Sequence, residues 1–184
     1  GIGTLNIIDG DTVDLSNLHR QHLYQAGDIG KEKVSVAKRA LENISSHTKI
    51  NSFNNFLNQS NAKSCFENMD LIIDATDNIV SRQIIDKVSK DKNLPMVYGS
   101  LYKFEGQVGV FNTESKIGYT ELFPGNISGG KTCEEAGVIG MLPSIIGNMQ
   151  ALEAIKLILN LEPNLIGRLL IYDGLQHTTE LIEL

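Results

Sequence analysis

Tryptophan is absent from the 184-residue sequence, cysteine occurs twice and proline four times. Two cysteines, Cys65 and Cys133, are too few for a disulfide scaffold and point to a reducing, cytoplasmic setting. No stretch approaches the roughly 18 uninterrupted apolar residues of a spanning helix, which argues against a membrane role. Positive charge is in deficit: 16 Lys and Arg against 22 Asp and Glu leave a net charge of −6, a poor footprint for nonspecific nucleic-acid binding. The Cys-x-x-Cys pairs of zinc sites are missing, and His19, His22, His47 and His177 fall at no metal-ligand spacing. Internal repeats and low-complexity tracts are missing as well. Gly1 is not an initiating methionine, so the start of the chain says little about targeting.

What is present is an ordinary globular composition, 41% hydrophobic, of a length that predicts one domain. Strand and helix signals alternate. Residues 5–8 form an apolar run that ends in Asp9-Gly10-Asp11. A helix is expected over 31–44, with Val34, Ala37, Leu41 and Ile44 on its buried face. A strand over 49–53 and a short helix over 60–69 follow. Leu71-Ile72-Ile73 reads as a buried parallel strand ending in Asp74-Ala75-Thr76-Asp77-Asn78. Ile79, Arg82, Ile85 and Val88 mark a second helix. Strands are expected over 96–99 and, antiparallel to it, 107–111. Residues 112–131 hold Pro124 and four glycines without a hydrophobic period, and are expected to be a long mobile crossover. The helix over 144–160 presents Ile145, Met149, Leu152, Ile155 and Leu159 as its stripe. Strands over 169–172 and, at an edge, 178–184 complete the pattern. The expected class is α/β: a Rossmann-like, mostly parallel sheet with helices on both faces and antiparallel strands at the C-terminal side.

Ligands of such sheets lie beyond the carboxyl ends of the strands. Two polar clusters fall there, 9–20 and 74–78, and Tyr98-Gly99-Ser100 is placed on the same rim. Asp9 fits a ribose-binding carboxylate and equally a turn former before Gly10. Arg20 and Lys33, flanking Asn17, suit a phosphate clamp, although a single Arg or Lys more often sits on a solvated face. Asp77 suits Mg²⁺, or alternatively the cap of the following helix. Cys133 lies on a loop between Thr132 and Glu134-Glu135, whose charges raise a thiol pKa, so locally it reads as idle. Cys65 reads as core.

The run Asp9-Gly10-Asp11-Thr12-Val13-Asp14-Leu15-Ser16-Asn17-Leu18-His19-Arg20-Gln21 resembles the signature of the ThiF/MoeB/HesA family, bacterial relatives of ubiquitin-activating enzymes. Gly30-Lys31-Glu32-Lys33, Asp74-Ala75-Thr76-Asp77-Asn78 with Arg82, and Cys133-Glu134-Glu135-Ala136-Gly137-Val138 with Gly140 and Pro143 continue the resemblance in order along nearly the whole chain. It implies ATP-dependent adenylation of the C-terminal Gly-Gly carboxylate of a ubiquitin-like sulfur carrier, ThiS- or MoaD-like, for thiamine or molybdopterin synthesis. By carry-over, Asp9 holds the ribose. Asn17, Arg20 and Lys33 contact the phosphates, with Asp11 and Asn78 in the same nucleotide site. Asp77 organises Mg²⁺. Arg20, Asp77 and Cys133 are the expected catalytic residues. A homodimer is expected, with the helix from Ser144 as a contributor.

The chain departs from the family pattern in three ways. Its Gly-rich phosphate loop is missing, so a first strand and helix are expected ahead of residue 1, together with an N-terminal arginine contributed across the dimer. Gly118-Tyr119-Thr120-Glu121 stands where the first zinc pair would be, and a zinc site is not expected. Acidic neighbours surround Cys133. Two rival readings are a catalytically silent subunit that binds ubiquitin-like proteins and an NAD-dependent oxidoreductase. The Arg20, Lys33 and Asp77 set argues against both.

Overall fold

The computed structural model describes residues 1–114, 117–125 and 137–184. Contacts divide the chain into two compact units, Gly1–Glu67 and Asn68–Leu184.

In the first unit, β1 (Thr4–Ile8) pairs in parallel with β2 (Lys49–Phe53), and α1 (Lys33–Ile44) connects them. Parallel neighbours need a crossover of about a dozen residues, which a helix supplies. Val34, Val36 and Ala37 of α1 are buried with Ile50, Val13 and Cys65. The expected stripe holds only at its start: Leu41 is half-buried and Ile44 is exposed. A layer of two strands covers only the first turns of the helix, and Val36 enters the core instead. A short helix, α2 (Ala62–Cys65), closes the unit within the expected 60–69. Burial pushes the Cys65 thiol up, as suits a core cysteine.

In the second unit, five strands run in the order β3-β4-β5-β6-β7. Here β3 (Ile72–Asp74) is parallel to β4 (Met96–Tyr102), and α3 (Ile79–Lys92) joins them. β5 (Glu105–Phe111), β6 (Arg168–Asp173) and β7 (Thr178–Glu183) extend the sheet antiparallel. The α/β class and the antiparallel C-terminal side are as expected. Strand β4 outruns its expected end at residue 99, because its ladder with β5 continues to Tyr102↔Glu105. Val108, Val110, Leu165 and Tyr172 form the core with Leu142 and Ile146 of α5 (Leu142–Leu159).

The face that α5 buries matches the expected one in part: Ile145 and Met149 of the expected stripe pack against the core. Leu142, Ile146, Gln150, Glu153 and Ala154 point inward, while Leu152, Ile155 and Leu159 are exposed. The helix is apolar almost all round, so its periodicity singles out no face. Gln150 and Glu153 decide the matter, because each satisfies buried backbone groups. Gln150 Nε2 donates to Asp74 O at 2.7 Å and Val97 O at 3.3 Å, and Glu153 Oε2 accepts from Leu165 N at 2.9 Å.

This contact also explains Gly99, where a Cβ would lie 2.3 Å from the Gln150 amide carbon. The amide cannot retreat without abandoning two buried carbonyls. Gly99→Ala should therefore lower unfolding stability by about 2–3 kcal/mol, measured by urea denaturation.

Part of the expected mobile crossover is firmly held. Within 117–125 lies α4 (Tyr119–Leu122), docked on α3 through Asp86. Asp86 Oδ1 accepts from Tyr119 N at 2.9 Å and Asn112 Nδ2 at 3.0 Å; Oδ2 accepts from Thr120 Oγ1 at 2.7 Å and Lys90 Nζ at 2.9 Å. Lys90 also pairs with Glu121 at 2.6 Å. Residues 115–116 and 126–131 of the expected crossover lie outside the described residues, as does Cys133.

Candidate active site

The first cluster is built at the end of β1. Asp9 N donates to Phe53 O at 3.2 Å, and Asp9 Oδ1 accepts from Asp11 N at 2.8 Å, a tight turn at the strand end. Gly10 has no room for a side chain: a Cβ would sit 2.7 Å from Phe56 N. Tyr24 interacts with Asp9, and its hydroxyl is pushed up to about 12 by burial and by the Asp9 charge.

Lys33 opens α1 and is attached to Asp11 twice, through Lys33 N to Asp11 O at 3.0 Å and Nζ to Oδ2 at 3.0 Å. The Lys33 side chain is only 8% exposed, whereas Asp11 is 55% exposed. A buried lysine is therefore paired with an exposed carboxylate, at a helix start where backbone N–H groups add positive potential. Asp14 caps a short turn, Leu15–Asn17, by accepting from Ser16 N at 2.7 Å. These bonds to Ser16 hold the Asp14 carboxyl below the usual carboxylate range. Asn17 is buried, and its carbonyl accepts from Arg20 N and Gln21 N, both at 3.0 Å. Arg20 NH1 donates to Ser16 O at 2.8 Å. Among the described residues no carboxylate pairs with Arg20. The structure thus gathers Asp9, Asp11 and Lys33 around one turn, with Asn17 and Arg20 on the segment that follows.

The second cluster follows β3. Asp74 is fully buried, and its Oδ1 accepts from Thr76 N at 2.9 Å and Thr76 Oγ1 at 2.6 Å. Burial pushes the Asp74 carboxyl up, against the pull of Arg82 and Thr76. Asn78, not Asp77, caps α3: its Oδ1 accepts from Ser81 N at 2.8 Å. The cap alternative for Asp77 is thereby overturned, since the side chain one residue later already fills that role. Asp77 is exposed, and Asn78 Nδ2 donates to its Oδ1 at 3.3 Å. No group of three or more His, Cys, Asp or Glu suited to hold a metal occurs among the described residues.

The sequence shows Arg82 as a charged residue on an apolar helical stripe and as part of the motif resemblance, without a partner for its guanidinium. In the structure its buried guanidinium donates to Thr76 O at 2.8 Å, Gly99 O at 3.1 Å, Ser100 Oγ at 3.1 Å and Tyr98 Oη at 3.3 Å.

In the first unit, the Asp9 turn, the helix-start Lys33 and Arg20, which has no carboxylate partner among the described residues, are groups of the kind that hold ribose and phosphate; the second unit holds a carboxylate turn of its own. The sequence profile of the ThiF family matches residues 1–184. The chain belongs to the ThiF family. Among its relatives, a probable molybdopterin-synthase adenylyltransferase of Porphyra purpurea is 41% identical, over 95% of this chain and 47% of that protein. A sulfur carrier protein adenylyltransferase of Thermus thermophilus is 36% identical, over 96% of this chain and 68% of that protein. A molybdopterin-synthase adenylyltransferase of Haemophilus influenzae is 39% identical, over 95% of this chain and 72% of that protein. The chain thus spans about half to three quarters of these relatives. Of solved structures, PaaA superposes with a TM-score of 0.82 at 28% identity, over 100% of this chain and 57% of PaaA. Escherichia coli MccB gives 0.85 at 18% identity, over 100% of this chain and 55% of that chain, a likeness of fold. No helix among the described residues is long and apolar enough to cross a membrane.

Proposed function

We propose that this ThiF-family chain carries the adenylation machinery that activates a ubiquitin-like sulfur carrier, ThiS- or MoaD-like, at its C-terminal Gly-Gly. The observation that carries the reading is 36% identity to a named sulfur carrier protein adenylyltransferase along 96% of this chain. The molybdopterin-synthase adenylyltransferases support the same reaction class and favour molybdopterin synthesis as its setting, with thiamine synthesis the other candidate.

In the proposed reaction a carrier carboxylate oxygen attacks the α-phosphorus of ATP. The bond from that phosphorus to the bridging oxygen breaks, and pyrophosphate leaves with the electron pair. Two anions must approach, so fixed positive charge has to be in place beforehand. Arg20 offers a planar fork and Lys33 a compact charge for phosphate oxygens, with Asn17 beside them. Asp9 accepts hydrogen bonds from the ribose hydroxyls. Asp11 keeps the Lys33 ammonium in place until phosphate replaces it. Asn78 orients the Asp77 carboxylate.

Mg²⁺ needs only one or two carboxylates when substrate phosphates and water complete its octahedron. Asp77, exposed at a strand end and lightly bonded, fits that demand. When bound, the ion neutralises polyphosphate charge. Cys133 is proposed as the residue that carries any later covalent link to the carrier. The exposed Leu152, Ile155 and Leu159 of α5 support a homodimer, and the reduced, buried Cys65 suits the cytoplasm.

The full-length protein should exchange labelled pyrophosphate into ATP only when a carrier ending in Gly-Gly is supplied. A carrier lacking its last glycine should give background exchange. Exchange indifferent to the tail would sink the proposal.

A further inference from the structure

Asp77 sits on a short turn between β3 and α3, and an exposed carboxylate there has little of its own to hold it. Its neighbour Thr76 is the fixed point: all three polar groups of Thr76 are committed. The amide and hydroxyl of Thr76 donate to Asp74 Oδ1, and its carbonyl accepts from Arg82 at 2.8 Å. Arg82 is in turn fastened to three consecutive residues of β4, through Tyr98 Oη, Gly99 O and Ser100 Oγ, and lies 5.0 Å over the Tyr98 ring. Tyr98 itself packs against Phe111, Tyr119 and Phe123, with ring centroids 5.4–5.8 Å apart. Arg82 Nε faces Asp74 Oδ2 at 3.6 Å, and both atoms are buried without a hydrogen-bond partner. The guanidinium is therefore spent inside the protein. Its donors are directed at the turn and at β4, and its charge at Asp74.

We propose that Arg82 is a positioning residue that transmits the rigid placement of β4 to the Thr76–Asp77 peptide, and so sets the Asp77 carboxylate for a divalent cation. The inference rests on the function proposed above for Asp77. Only a planar fork satisfies this geometry, because one ammonium cannot reach Thr76 O, Gly99 O and the two hydroxyls together. A carboxylate displaced by about 1 Å is enough to cost ~10²-fold in rate.

The decisive experiment compares wild type, Arg82→Lys, Asp77→Asn and the double variant in the full-length protein. Arg82→Lys keeps the charge beside Asp74 but loses the fork. Carrier-driven pyrophosphate exchange should fall ~10²-fold in kcat, with KM for ATP within about threefold. The apparent Mg²⁺ requirement should rise about tenfold, and Mn²⁺ should bind about tenfold more weakly by electron paramagnetic resonance. The double variant should be no slower than Asp77→Asn alone, because the two residues act as one unit. Amide exchange of peptides covering 74–78 should quicken in ligand-free Arg82→Lys. Additive losses, an unchanged 74–78 segment or a KM rise equal to the kcat loss would overturn the proposal. Should Arg82→Lys not fold, Ser100→Ala removes one anchor and should show the same pattern at about threefold; unaltered kcat and amide exchange there would likewise overturn it. A wild-type protein with no exchange for any carrier would refute the adenylation reading instead, and Mn²⁺ affinity and amide exchange would still decide the role of Arg82.

Discussion

Arg20→Ala and Asp77→Ala should each reduce carrier-driven pyrophosphate exchange at least ~10³-fold, to background in an ordinary assay. The two variants should fail in different ways. Arg20 is half-buried, bonded to Ser16 O at 2.8 Å, and without a carboxylate partner among the described residues. Its removal takes away positive charge and leaves no buried group stranded, so folding should be unaffected and KM for ATP should rise along with the fall in kcat. Asp77 is exposed, and its bond from Asn78 is long at 3.3 Å. Loss of that carboxylate should leave ATP binding without metal largely intact and should abolish the response to added Mg²⁺. A titration of exchange against Mg²⁺ for both variants separates these outcomes. Exchange within tenfold of wild type in either variant would remove that residue from the site.

Asp86→Ala should cost about 3–5 kcal/mol of unfolding free energy, a large share of the 5–15 kcal/mol typical of a domain. The carboxylate is 1% exposed and serves Tyr119 N, Thr120 Oγ1, Asn112 Nδ2 and Lys90 Nζ. Its removal strands several donors at once and undocks α4 from α3. Burial alone pushes the Asp86 carboxyl up, but the bonds from Thr120, Asn112, Lys90 and Tyr119 together bring it below the ordinary value. A lowered native pKa stabilises the fold above the unfolded value, near 3.9, and the benefit disappears as pH falls through the native value. The stability gap between wild type and Asp86→Ala should therefore be constant near neutrality and narrow below about pH 4. Chemical denaturation at a series of pH values measures it; a gap that widens in acid would contradict the assignment.

Much of the architecture was legible because local pattern and tertiary demand coincide. The apolar run at Ile72 and Ile73 forms a parallel strand as its pattern implies, although Ile72 alone of the two is buried, and the turn after it is announced by Thr76-Asp77-Asn78. The face of α5 was legible only in part, since Leu152 and Ile146 are equally apolar and only the buried carbonyls of Asp74 and Val97 choose between them. Position in sequence likewise could not tell that Asn78 rather than Asp77 takes the cap, because either side chain can accept the Ser81 amide. The docking of α4 was hidden for a related reason. Asp86 and Thr120 are ordinary surface-type residues whose meaning appears only when helix and loop meet. The groups proposed to bind nucleotide at Asp9, Arg20 and Lys33 are visible in the sequence as motifs. Their mutual support, such as the Asp11–Lys33 pair, belongs to the fold.

The bond from Gln150 to the carbonyl of Asp74 joins residues 76 positions apart. During synthesis, the tip of the three-residue strand β3 stays unfinished until the ribosome has delivered that glutamine. A nascent chain halted before residue 150 can form α3 and the β4–β5 hairpin, yet it leaves two backbone carbonyls waiting for their donor. The turn that carries Asp77 is thus completed only once α5 has emerged, well after β3 itself.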